Sequence, residues 1–151
     1  MWKDSYENVC ELEKSFGGKV NEGASECVID RFAKAVECKL GILLPSELRE
    51  VYKITMGIEF NGHIFYGIDQ DYLENTPNQN IVGLIDMNLT WKTEGNNFNE
   101  YLFIAEHDLS WFVYDNELKI YLELDSPSGS KITTFENIDQ LLDVFFKRAQ
   151  Q

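Results

Sequence analysis

The sequence is poor in histidine, cysteine and cationic residues, and each shortage removes a class of function. Two histidines in 151 residues, His63 and His107, leave little material for catalysis or metal binding. A metal site needs several ligands converging on one ion, and no HExxH or comparable spacing surrounds either residue. There is no GxSxG elbow, and neither histidine stands in a recognisable triad context. The three cysteines, Cys10, Cys27 and Cys38, are odd in number and include no close pair, so they do not form a secreted disulfide framework. Cys27 and Cys38 are expected on one helix, roughly 16 Å apart and beyond bridging reach. All three are expected to be small, buried, reduced filler. No run approaches the ~18 apolar residues of a transmembrane span. Residues Met1 to Glu7 are polar and acidic where a signal peptide would turn apolar, so a cytoplasmic location is expected.

Cations are scarce relative to acids. Lys and Arg total 13 against 26 Asp and Glu, a formal charge of −13. That surplus repels phosphate backbones and anionic membranes, which disfavours direct nucleic-acid or membrane binding. It speeds association with a basic protein. Other chemistry fails on spacing. Asp69, Asp71 and Glu74 begin like a calcium loop, but the sixth and twelfth positions are Glu74 and Asn80 where that loop needs glycine and a bidentate acid. Gly17-Gly18-Lys19 lacks the first glycine and the Ser/Thr of a phosphate-binding loop and reads as a helix-ending turn. Glu123 and Asp125 share one side of a strand, but glycosidase chemistry would need a cleft around them. No cofactor and no metal are expected, and the chain does not read as an enzyme.

What is present is abundant: 44% hydrophobic and 13% aromatic residues, enough for one domain with a real core. Trp2, Tyr6, Val9 and Phe16 recur at roughly helical spacing over residues 1–20. Ser25 is an N-cap candidate for a helix burying Val28, Ile29, Phe32, Val36 and Leu40. In LGILLPSELREVYKITMGIEFNGHIFY, Gly41 suits a helix C-terminus and Pro45 the first turn of the next helix. Asn61-Gly62 is the two-residue type I′ hairpin signal. Pairing about it sets Ile58, Phe60, His63 and Phe65 on one face and Glu59, Ile64 and Tyr66 on the other. His63 is expected to be partly covered by Phe60 or Phe65.

Residues 69–80 read as an exposed polar loop. Asn80 is then a cap candidate for a helix to about Trp91, with Ile81, Leu84, Ile85 and Leu89 inward. Residues 92–100 form a second loop. Tyr101–Ala105, Trp111–Tyr114 and Leu118–Leu124 are short aromatic and β-branched runs between turns, the pattern of an antiparallel meander. His107 is expected to be a solvated turn residue. Pro127 to Gly129 ends the meander, and Thr134 or Asn137 starts a last helix burying Ile138, Leu141, Leu142, Phe145 and Phe146. The expected fold is a single α+β domain over residues 1–151, an antiparallel meander with helices on one face.

The LGILLPSELREVYKITMGIEFNGHIFY segment resembles the SUKH superfamily, in which a leucine-proline helix leads into a strand pair around an asparagine-glycine turn. YLFIAEHDLSWFVYDNELKIYLELD is similar to the strand, acidic turn, aromatic strand, turn, strand block of that family. TTFENIDQLLDVFF is similar to its closing helix. The resemblance covers about Ala24 to Phe146 and leaves residues 1–20 as an additional N-terminal helix. It implies an immunity protein that binds a cognate bacterial toxin domain and neutralises it by stoichiometric occlusion, with a basic nuclease as the candidate toxin. The alternative is a regulatory or scaffold module with an endogenous protein partner. The oligomeric state is not legible in the sequence, and a monomer is favoured.

The expected partner-binding residues are acids in turns, with an aromatic between them: Glu106, Asp108, Asp115, Glu117, Asp69 and Asp71, with Trp111. Glu106 with Asp108, and Asp115 with Glu117, sit at opposite ends of the Trp111–Tyr114 strand. Trp111 and Tyr114 lie on different faces of it, which leaves one of them a candidate for exposure. An exposed aromatic beside carboxylates suits a basic partner.

Overall fold

The computed structural model describes residues 1–73, 81–93 and 100–151. Helix α1 (Trp2–Ser15) precedes α2 (Glu26–Leu40), α3 (Ser46–Tyr52) and the hairpin β1 (Ile58–Phe60) and β2 (His63–Phe65). After a 3-10 turn at Gln70–Tyr72 come α4 (Leu84–Thr93), β3 (Tyr101–His107), β4 (Ser110–Asp115), β5 (Ile120–Asp125), β6 (Lys131–Phe135) and α5 (Ile138–Ala149). All six strands form one open antiparallel sheet in chain order, a complete meander.

Local signals place most elements. The Ser25 side chain accepts the Val28 N–H to start α2, and Gly41 ends that helix in left-handed geometry at φ 70°. Pro45 stands one position before α3, as its cap. Asn61 and Gly62 both take positive φ, at 52° and 77°, which gives the expected hairpin turn and register. Asn137, not Thr134, caps α5 by accepting the Gln140 N–H. Thr134 instead belongs to β6, a strand missing from the expected set; its Lys131-Ile-Thr-Thr-Phe135 sequence is β-branched and pairs with β5.

The register assigns side chains to two faces of the sheet. Phe65, Ala105, Phe112 and Phe135 share the inner face, where Phe145 of α5 packs edge-on to Phe112 at 5.3 Å. Helix α1 packs on the back of α5 through Trp2 and Tyr6 against Phe146. Tyr52 of α3 stacks on Phe65 at 5.7 Å and donates its hydroxyl to the Tyr66 carbonyl. Helix α4 lies against β3 beyond the end of β2. Its buried Asn88 accepts the Phe103 N–H and donates to the Phe103 carbonyl. Where the chain crosses itself before α4, Gly67 bridges Gly83. A Cβ on Gly67 would stand 1.8 Å from the Met56 carbonyl oxygen, so only glycine fits.

Two expectations about burial are corrected. Cys27 and Cys38 are exposed on the outside of α2 and only Cys10 is half-buried, so they are not core filler. Leu89 is exposed, because α4 begins at Leu84 and turns Leu84, Ile85 and Asn88 inward. The expected cap of that helix, Asn80, lies outside the described residues; Asp69 accepts the Ile85 and Asp86 N–H groups instead.

Candidate functional site

Alternation in the hairpin turns Glu59, Ile64 and Tyr66 to the face opposite α5. Pairing then carries that face across the sheet: Glu59 stands beside Ile64, Ile64 beside Glu106, and Glu106 beside Trp111. Trp91 of α4 folds over the aromatic end of this row, with ring centroids 5.3 Å from Trp111 and 6.1 Å from Phe103. Its indole N–H donates to the Tyr66 hydroxyl at 3.2 Å, and Tyr66 in turn acts on the Glu106 carboxyl, favouring its charged form.

Glu106 therefore sits half-buried between a packed aromatic patch and an open acidic end. Burial pushes its carboxyl above the ordinary value, the Tyr66 hydrogen bond pulls it back, and the charges of Asp108 and Glu59 push it up again. Glu59 and Asp108 are exposed, and Leu109 beside Asp108 is 70% exposed. Among the described residues no ion pair reaches Glu59, Glu106 or Asp108. Three like charges around apolar Ile64, with exposed Leu109 next to Asp108 in the chain, make a surface that is costly in isolation and suited to a cation.

The other expected residues disperse. Trp111 is only 4% exposed, covered by Trp91, so its ring is core and not a contact; Tyr114 is half-buried on the inner face. Asp115 is also buried, and its Oδ1 accepts the Glu117 and Leu118 N–H groups in the β4–β5 turn, which commits the carboxylate to its own backbone. Glu117 is exposed in that turn, at the far end of β4 from Asp108 and roughly 17 Å away by strand rise. Asp69 is spent on capping α4. Asp71 is exposed on the 3-10 turn, where Tyr72 first, and then the charges of Asp71 and Asp69, favour protonated Lys39. Glu74 lies outside the described residues. Of the expected set, only Glu106 and Asp108 are brought together on an open face. Glu59, Ile64 and Leu109 join them and were not anticipated as site residues. The hairpin alternation places Glu59 and Ile64 on one face, but no local signal brings β3 alongside.

A second polar group lies under α5. Glu123, 2% exposed, accepts hydrogen bonds from Ser110 Oγ at 2.7 Å and Arg148 Nη1 at 2.6 Å. Burial would push its carboxyl up, but the Arg148 and Ser110 bonds outweigh burial and hold it below the usual range. His107 is not a solvated turn residue: it ends β3 half-buried, its ring 4.8 Å from His63 and 5.9 Å from Phe112. His63 pairs across the hairpin with Phe60 and is also met by Phe145 of α5 at 5.4 Å. Ser110 Oγ donates to Glu123 and not to an imidazole, so it is no activated nucleophile. Among the described residues no three metal-binding side chains converge.

An open antiparallel meander with helices packed against it is the architecture of SUKH domains. The SUKH_6 family model, SMI1-KNR4 cell-wall, matches residues 33–142, and the chain belongs to that family. The match runs from within α2 to within α5, so α1 lies outside it. SUKH domains are generally linked to immunity proteins and to protein-partner binding. No curated protein matches the chain. No helix of the described residues is long and apolar enough to cross a membrane.

Proposed function

We propose that this protein is an immunity protein of the cytoplasm that neutralises a cognate toxin domain by stoichiometric occlusion, without catalysis or cofactor. The observation that carries the reading is Glu106: a half-buried carboxylate near two further acids, with no ion pair to it among the described residues. A lysine or arginine from a basic toxin would relieve that repulsion, while Ile64 and Leu109 supply apolar contact around it. The net charge of −13 steers such a partner in, and a basic nuclease fits because its own substrate is anionic.

Growth rescue tests the proposal, with the toxin domain encoded beside this gene expressed with and without the protein. The wild type rescues; Glu106→Lys with Asp108→Lys loses rescue, whereas Glu117→Lys with Asp71→Lys, away from this face, keeps it. Truncation of Glu106 alone costs about 2–5 kcal/mol of binding, and an exposed rim acid changes mainly the association rate. Rescue that survives reversal of Glu106 and Asp108 in a folded protein places the interface elsewhere. The family description, which names the cell wall and no toxin, favours one second reading: a regulatory module binding an endogenous protein. No rescue by a folded wild type, with capture of a host protein that depends on Glu106, selects that reading.

A further inference from the structure

The turn that presents Asp108 and Leu109 is fastened from the inner face. Residues 106 and 107 point to opposite sides of β3, so the acid of the candidate site and the imidazole beneath it are chain neighbours. The Leu109 N–H donates to His107 Nδ1 at 3.3 Å across the β3–β4 turn. An Nδ1 that accepts carries no proton, so the proton of the neutral ring is on Nε2, which is buried without a partner. A second proton has one place to go, Nδ1. There it meets the Leu109 N–H, donor against donor.

We propose that His107 is a proton-operated latch on this turn: protonation at Nδ1 removes the acceptor for the Leu109 N–H and loosens the segment that carries Asp108 and Leu109, which the Ser126 N–H still holds by the Leu109 carbonyl. Its consequence for partner binding rests on the immunity reading above; the latch itself does not. Each element packed on the ring contributes a group. His63 from β2 lies 4.8 Å away, and its Nδ1 donates to the Asn61 carbonyl at 3.1 Å. Arg148 reaches in from α5 and Glu123 from β5, Phe112 packs from β4, and Asp108 follows in the turn. Burial, His63 and Arg148 oppose a charge on His107, while Glu123 and Asp108 favour it, and the balance holds the ring below its usual 6.5. Asp108 is the carboxylate on the turn itself, so a protonated ring draws on the residue that the partner would otherwise engage.

A two-dimensional amide spectrum of the full protein, followed from pH 8 to pH 5, decides the matter without any partner. The Leu109 amide and the His107 ring protons should titrate with one midpoint, below 6.5. His107→Gln, which retains a non-titrating acceptor, should abolish the Leu109 titration. A Leu109 amide that stays still while the His107 ring titrates overturns the latch. So does one that titrates unchanged in His107→Gln, since it then follows Asp108 or Glu106. With a toxin in hand, wild-type affinity should fall between pH 7.5 and 5.5, and His107→Gln should lose less; equal losses would assign the effect to Glu106. Because the spectrum needs no toxin, failure of the immunity reading leaves that arm decisive.

Discussion

At the scale of single residues, the most demanding group is Glu123. It is a carboxylate at 2% exposure, tolerated because Arg148 and Ser110 bind it. Removing the guanidinium strands a buried charge, which costs more than the pair contributes when whole. Arg148→Ala should therefore destabilise the fold by about 2–3 kcal/mol, at the low end for a buried pair because Arg148 is itself 39% exposed. Glu123→Leu combined with Arg148→Met should lose less than either single change, as urea unfolding of the three variants would reveal. The folded carboxyl lies below its usual 4.5, so its stabilisation is fully present above that pH and is lost as pH falls through the depressed value. Arg148→Ala should flatten this acid limb. Glu123 was visible in the sequence as a strand acid, but its partner on α5 was not, since nothing local links the two.

Elements were more legible, because caps and turns are written within a few residues. The Ser25 cap, the Asn61-Gly62 turn and the Asn137 cap were all candidates in the sequence. Helix α4 shows where locality fails. Its N-terminus is capped by Asp69 from 16 residues upstream, across the Gly67–Gly83 crossing, and so the polar stretch after Ile68 looked like plain exposed loop. Asp69→Ala should cost about 1–2 kcal/mol, the usual price of a lost cap. Hydrogen exchange should quicken first in the opening turn of α4 and leave the meander protected. β6 was missed for another reason: the turn residues Pro127 to Gly129 read as the end of the sheet, although Lys131–Phe135 is a fit strand once β5 lies beside it.

For the molecule as a whole, thirteen uncompensated negative charges act on a compact body. Self-repulsion of this kind weakens the folded state and is screened by salt, with a Debye length of about 8 Å at 0.15 M. The melting temperature should rise on going from 10 mM to 0.15 M NaCl, measured by circular dichroism. Glu106→Gln should melt higher than the wild type at low salt, because it removes the most buried of three facing acids; a lower melting point would show that the Tyr66 bond outweighs the repulsion. The sequence by itself determined the class of fold, the hairpin with its register, the cores of α2 and α5, and the acid surplus. Each of these depends on neighbours a few positions apart or on composition summed over the chain. Only the tertiary structure decided that Trp111 and Asp115 are buried, that Ile64 stands between Glu59 and Glu106, and that His107 faces His63 beneath α5. Those outcomes follow from strand pairing and helix packing between distant segments, where which side chain is covered depends on what lands on it.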